Sequence, residues 1–258
     1  MMEVDLEKLA TKTAELIMHS KGIIVFSGAG ISTESGIPDF RSPGGIWERF
    51  SPEDFTYQRF VGDATARRKH WCLFKEFGLN AKPNPAHLAI GKLSHLCRLD
   101  CVITQNVDNL HQRGGVPDEK VLELHGNMQW FRCLNCQRRF RAEGIINKLG
   151  EGEDVPDCDI CHGILKPDVV FFGEALQEKV FREALERTER CDLCIVVGST
   201  LVIYPAASIP EYALAAGAKL VIVNLSPTPL DDRAEFIVNT KAGEFLPDVV
   251  QRVKNGLY

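Results

Sequence analysis

Between residues 3 and 20 the apolar side chains Leu6, Leu9, Leu16 and Ile17 recur at helical spacing among charged neighbours, which predicts an amphipathic helix. The pattern then changes. Residues 22–27, Gly-Ile-Ile-Val-Phe-Ser, are almost continuously apolar over strand length, as suits a strand buried on both faces. Similar runs follow at residues 101–104, 121–124, 193–197 and 220–223. Helical patterns cover residues 84–97, where Asn84 stands ready to cap ahead of Pro85, and stretches near 176–189, 206–216 and 243–254. Alternating helices and β-branched apolar strands predict α/β architecture, a Rossmann-like parallel sheet with helices on both faces.

Two stretches interrupt this alternation. Residues 42–82 mix aromatic and charged side chains without a clean strand–helix unit, and residues 126–165 carry two cysteine pairs. Read as two insertions, they build a smaller second lobe, helical over 42–82 and metal-binding over 126–165. Residues 1–41, 83–125 and 166–258 then form the Rossmann-like domain. The sequence contains no internal repeat and no low-complexity tract.

Composition narrows the class. The chain is 45% hydrophobic and 25% charged, ordinary for a globular protein. Its net charge of −5 argues against wholesale binding to nucleic acid or to an acidic membrane. No apolar run approaches the roughly 18 residues of a membrane span, and the acidic first residues lack the basic start of an export signal. Nine cysteines, an odd number, then read as reduced thiols in a cytoplasmic protein.

Four of those thiols are paired as Cys133-x-x-Cys136 and Cys158-x-x-Cys161. Two such pairs can close a tetrahedron around one Zn²⁺, and four thiolates leave no open coordination position, so the ion is structural. Cys191 and Cys194 share the spacing but open an apolar strand, and with Cys72, Cys97 and Cys101 they read as packing residues. Between the first strand and an expected helix start lies Gly28-Ala29-Gly30-Ile31-Ser32, the setting of a dinucleotide phosphate loop. The third glycine of that fingerprint is replaced by Thr33, and the usual acidic residue about 20 positions on is missing. The loop alone leaves dinucleotide binding and an ordinary tight turn both open.

Further segments decide between them: Gly36-Ile-Pro-Asp-Phe-Arg41, Thr104-Gln-Asn-Val-Asp-Asn-Leu-His111, Glu123-Leu-His-Gly126, Val169-Val-Phe-Phe-Gly-Glu174 and Gly198-Ser-Thr-Leu-Val-Ile-Tyr-Pro205. Together with the glycine loop and the cysteine pairs, in this order from about residue 22 to 250, they resemble the sirtuins of prokaryotic type, the Sir2 family of NAD-dependent protein-lysine deacylases. In that family the acyl oxygen of an N-acyl-lysine attacks C1′ of the nicotinamide ribose and nicotinamide leaves. A histidine then acts as general base on the ribose hydroxyls, and the products are free lysine and O-acyl-ADP-ribose. The resemblance implies that His125 is this base and that Asn106 and Asp108 order the ribose and the carboxamide. It also implies cofactor contacts at Gly28, Ala29, Gly30, Ser32, Thr33, Asp39, Phe40, Arg41, Gln105, Val107, Gly198, Ser199, Thr200, Asn224, Leu225, Ser226 and Ala242. Phe40 would shield the reactive carbon, and Arg41 would face the phosphates. Val169, Phe171, Phe172, Gly173 and Glu174, opposite Val202, Ile203 and Tyr204, would clamp an acyl-lysine peptide or protein as an added strand.

Two positions depart from the family pattern. Asn109 stands where glycine is frequent, and Asn tolerates left-handed backbone. The Tyr-x-x-Arg pair of sirtuins that remove acidic acyl groups is absent: three residues after Tyr57 stands Phe60, which favours acetyl or a similar uncharged group. Arg132, Arg138, Arg139 and Arg141 crowd the cysteine module, as a solvated face or a site for an acidic partner. The competing functions are mono-ADP-ribosyl transfer from the same NAD site, hydride transfer, which the broken glycine fingerprint opposes, and a zinc-stapled binding module, which leaves His125, Asn106 and Asp108 without a purpose.

Overall fold

The computed structural model describes residues 2–77, 81–96, 99–150 and 155–256. In chain order its elements are α1 (Met2–His19), β1 (Ile23–Ser27), α2 (Ile46–Arg49), α3 (Tyr57–Gly62), α4 (Ala64–Phe77), α5 (Pro85–Leu96), β2 (Leu99–Thr104), α6 (Leu110–Arg113) and β3 (Val121–Glu123). There follow β4 (Gly126–Cys133), β5 (Arg139–Arg141), α7 (Ala142–Gly150), β6 (Leu165–Val169), α8 (Glu178–Thr188), β7 (Leu193–Val197), α9 (Ile209–Ala215), β8 (Lys219–Val223), β9 (Phe236–Val238) and α10 (Ala242–Gly256).

Six strands make a parallel sheet in the order β3-β2-β1-β7-β8-β9. Alternate side chains feed two cores. Ile23 and Val25 point to one shared with Ala14, Ile17, Ile90, Phe245 and Val249 of α1, α5 and α10. Ile24 and Phe26 point to one shared with Ala184 of α8 and Ile209 and Ala213 of α9. Both faces are therefore covered, which is why the strands read as unbroken apolar runs. The chain leaves β1 towards β2 on one side and reaches β7 on the other. The carboxyl ends of β1 and β7 thus flank the point where the strand order reverses, the place where open α/β sheets bind ligands.

The smaller lobe is a three-stranded antiparallel sheet, β5-β4-β6, packed on α4. Trp71 of α4 stacks on Phe131 of β4, centroids 4.9 Å apart, and Phe74 meets the same ring edge-on. Cys133 and Cys158 are fully buried in this core, so the thiols and the aromatic packing form one unit.

Several expectations need correction. The glycine loop leads into a seven-residue 3₁₀ helix, Ala29–Ser35, not an α-helix. It ends at Gly36, whose φ of +85° turns the chain away. Of the expected clamp segment only Val169 belongs to a strand, β6 of the small sheet, and Phe172 is exposed. Cys72 is exposed rather than packed, whereas Cys101, Cys191 and Cys194 are buried as expected; Cys97 lies outside the described residues. Strand β9 had no counterpart in the apolar pattern. Among the described residues no helix is long and apolar enough to cross a membrane.

Candidate functional site

The candidate residues gather at the carboxyl edge of the large sheet, where β1, β2, β3 and β7 end. Gly28 and Gly198 follow β1 and β7, and their loops touch. The Gly30 N–H donates to the Gly198 carbonyl at 2.8 Å. A Cβ on Gly30 would sit 2.8 Å from that oxygen, and one on Gly198, whose φ is +62°, would sit 2.6 Å from Gly30 C. These glycines are required first by the crossing of two backbones. Asn84 fixes the loop from a third element. Its Oδ1 caps α5 by accepting from Ala86 and His87 N–H, while its Nδ2 donates to Ile31 O at 2.7 Å and to Ser35 Oγ. The capping was legible in the sequence; the second pair of bonds was not.

Ser32, Asn106 and Asp108 are brought together. Asn106 Nδ2 donates to Ser32 Oγ at 3.1 Å, and Ser32 Oγ donates to Asp108 Oδ2 at 2.7 Å. Asp108 Oδ1 accepts from Leu110 N–H, and Asn106 N–H is held by Thr104 Oγ1. Burial raises the Asp108 carboxyl above its ordinary value, against the opposing pull of these donors. Asn109 is left-handed at φ 63°, the conformation its residue type tolerates.

His125 lies between β3 and β4. Its Nδ1 is 2.8 Å from the Gln105 carbonyl, which can only accept, so the proton sits on Nδ1. Among the described residues the ring's only hydrogen bond is this one through Nδ1, which leaves the Nε2 lone pair free. Burial holds the imidazole below 6.5, partly offset by that hydrogen bond. Gln105 in turn donates through Nε2 to Ser199 Oγ at 2.9 Å, which joins β2 to β7 across the top of β1. The ring is therefore neutral near pH 7, oriented from behind and open in front. That is the state a general base needs.

The next residue, Gly126, has φ +79° and lets β4 run tightly beside β6, where Val170 N–H donates to His125 O at 2.8 Å. The segment from Val169 to Glu174 is thereby pinned beside the histidine. On its other side Phe172 exchanges backbone hydrogen bonds with Phe55 and Tyr57, both 3.0 Å. Just before the segment, Lys166, 7% exposed at its side chain, donates to Val169 O at 2.5 Å and pairs with Glu174 Oε2 at 2.8 Å. The same oxygen accepts from Phe171 N–H. Burial lowers the Lys166 amine, opposed by Glu174. Sequence reasoning gave Lys166 no role. Nor did it give one to Glu123, which accepts from Gln112 and Asn127 at 2.8 and 2.6 Å and which burial raises to about 7. Glu123 opens the Glu-Leu-His-Gly motif, and that was its only signal.

Exposed apolar surface marks the rest of the site. Of eight exposed large hydrophobic side chains among the described residues, five are Phe40, Phe172, Val202, Tyr204 and Leu225, all sequence candidates. No hydrogen bond joins the Val169–Glu174 segment to the Val202–Tyr204 segment, and Ile203 is half-buried between its exposed neighbours. Phe40 leans on Trp47, centroids 5.1 Å apart, and Trp47 reaches Phe172 at 6.2 Å. Asp39 folds its loop by accepting from Arg41 N–H and Ser42 N–H, while Arg41 itself is exposed. Thr33 is exposed and bonded to Gly30 O. Ala29, Val107 and Thr200 line the same edge, half-buried. One strand further on, Asn224 at the end of β8 is bonded to Ser226 O, and Leu225 and Ser226 are exposed. Ala242 opens α10, whose Gly243 N–H donates to Glu34 of the glycine loop.

The four cysteine sulfurs lie within 4.8 Å of one another, with Cys133–Cys161 at 3.5 Å and Cys136–Cys158 at 3.7 Å. A tetrahedron with Zn–S bonds near 2.3 Å has edges of about 3.8 Å, so this donor set fits one Zn²⁺. The cluster belongs to the small lobe's core, away from the His125 ring.

The Sir2 family model matches residues 28–205. An NAD-dependent protein deacetylase of Thermodesulfovibrio yellowstonii is 43% identical over 257 residues, 98% of this chain and 99% of its own length. NAD-dependent protein deacylase 2 of Archaeoglobus fulgidus is 42% identical over 250 residues, 94% of this chain and 95% of its own. Among solved structures, a Sir2 variant with a deacetylated p53 peptide and 3′-O-acetyl ADP ribose superposes with a TM-score of 0.87 at 42% identity, covering 93% of this chain and 96% of its own.

Proposed function

The chain belongs to the Sir2 family, and we infer from this that it removes acetyl or a similar uncharged acyl group from protein lysine side chains in an NAD-dependent reaction. The products are nicotinamide, O-acyl-ADP-ribose and the free lysine. The observation that carries the assignment to these residues is His125, with Nδ1 committed to the Gln105 carbonyl and Nε2 open. NAD supplies an electrophilic C1′ whose leaving group is nicotinamide. His125 Nε2 takes a proton from a ribose hydroxyl. The chain Asn106–Ser32–Asp108 holds polar groups ready for the ribose and carboxamide.

Phe40, backed by Trp47, screens the reacting carbon from water, and Arg41 faces the phosphates. The backbone of the Val169–Glu174 and Val202–Tyr204 segments receives the peptide as an added strand, and its apolar side chains cover the acyl-lysine. Cys133, Cys136, Cys158 and Cys161 hold one Zn²⁺ as a staple of the small lobe and take no part in the chemistry. Zinc thiolates need a reducing compartment, which supports a cytoplasmic location, and the net charge of −5 speaks against nucleic acid as substrate.

The test is a mass-spectrometric screen of NAD with acetyl-, propionyl-, butyryl-, succinyl- and malonyl-lysine peptides. Acyl transfer to ADP-ribose from the uncharged members alone is the expected result. ADP-ribose attached to protein would instead assign a mono-ADP-ribosyltransferase, and turnover of the succinyl peptide would overturn the acyl preference.

A further inference from the structure

The outward face of the small sheet is not used by the chemistry above. Phe131 and Phe140, paired across β4 and β5, belong to the inward side, where Phe131 meets Trp71. Their neighbours Trp130, Arg132, Arg139 and Arg141 therefore share the opposite side. The Arg139 and Arg141 guanidiniums lie 4.7 and 4.5 Å from the centroid of the Trp130 ring. Such stacking holds a guanidinium in place while its N–H groups remain free to donate. Among the described residues, Asp168 of β6 is the carboxylate these arginines engage, Arg139 at 2.7 Å and Arg132 at 3.5 Å. Arg141 and the exposed Arg138 have no ion pair among the described residues, and Glu143, two positions on, pairs with neither. Three guanidiniums on this face, with the exposed Arg138 directly before β5, meet one carboxylate and leave a concentrated positive field on a chain whose net charge is −5.

This field is continuous with the clamp. Asp168 directly precedes Val169, the first residue of the clamp segment, and both belong to β6. Gly126 pairs with Val169, and Trp130 lies four residues further along the same strand, so the arginine face begins one strand segment from the clamp.

We propose that the outward face of β4, β5 and β6 is a docking surface for acidic residues of the protein substrate, four or more positions from the acyl-lysine. The partner is the substrate's own flanking segment, chosen by charge complementarity and by continuity with the clamp. The inference rests on the deacylase reading. Each exposed pair contributes little alone, and two or three together lower KM roughly threefold to tenfold at low salt.

The experiment measures nicotinamide release from three sets of acetyl-lysine peptides with one common core. Their flanks, four to six positions away on either side, are neutral, aspartate-rich or lysine-rich. At low salt the acidic set should have a KM about threefold to tenfold below the neutral set, on one side of the acetyl-lysine only. At high salt the advantage should vanish, because screening cuts the field to a few ångströms. Arg138→Glu with Arg141→Glu should abolish it while leaving the kcat/KM of the neutral peptide unchanged. Equal KM values for acidic and neutral peptides at low salt, a preference for the lysine-rich set, or a preference that survives the double substitution would each overturn the proposal. Failure to turn over the neutral peptide at all would instead sink the deacylase reading.

Discussion

Substituting Gly126 by alanine adds one methyl group at the joint between the proposed base and the peptide clamp. The backbone there has φ +79°, a region that costs an L-residue roughly 1–2 kcal/mol. The new Cβ would stand inside contact with the Asp168 carbonyl oxygen and 3.1 Å from Val169 Cα. Both are backbone atoms of β6 and cannot rotate away. Relieving such overpacking by shifting a strand costs about 1–3 kcal/mol, so the total is about 2–5 kcal/mol. In a chain of this size each kcal/mol lowers Tm by roughly 2–4 °C, which places the melt about 4–20 °C below the parent. The same shift pulls Val170 from His125 O, so the peptide KM should rise several-fold while the KM for NAD changes little. Gly144→Ala on α7, where a Cβ meets nothing within 4 Å, is the matched control and should be neutral or slightly stabilising. A Gly126→Ala protein that melts within about 1 °C of the parent, with unchanged peptide KM, would refute this account of the joint.

Other substitutions probe the remaining parts. His125→Ala should lower kcat at least about 100-fold and still bind NAD, measured by calorimetry. Because burial depresses the His125 pKa, kcat/KM should fall only as pH drops through a value below 6.5, and an acid limb above 6.5 would contradict the neutral, buried ring. Lys166→Met removes the cation from Glu174, which keeps Phe171 N–H and some water. The expected cost is about 2 kcal/mol, below the 3–5 of a fully buried pair, with a higher peptide KM that Lys166→Arg partly restores. Chelation or Cys133→Ala should abolish activity together with the tryptophan signal of Trp71 on Phe131, and cobalt added to the chelated parent should restore both equally. A turnover rate that followed the metal's Lewis acidity would assign the metal to the chemistry.

The parallel strands were legible because burial on both faces makes each a plain apolar run, as in Ile23–Ser27 and Leu193–Val197. Strand β9 was not, because three residues at a sheet edge, two of them half-buried, carry too little pattern. Strands β4 and β5 were hidden for a related reason: one face is aromatic and the other carries Trp130 and arginines, so neither a continuous nor an apolar–polar signal stands out. The glycine loop was located correctly, but its conformation depends on Gly198 and Asn84, from segments far along the chain. The family resemblance of its surrounding motifs pointed to His125 as a base. Its tautomer needed Gln105, and the Lys166–Glu174 pair at the clamp needed the fold of β6.

The fate of the acyl group is the most direct test. A peptide carrying ¹³C-acetyl-lysine is incubated with NAD, and the products are resolved by mass spectrometry over a single turnover. One nicotinamide and one free lysine should appear for each labelled O-acetyl-ADP-ribose, and His125→Ala should form none of the labelled ester. Label released as free acetate from the start, or ADP-ribose bound to protein with the acetyl-lysine intact, would contradict the reading of this site.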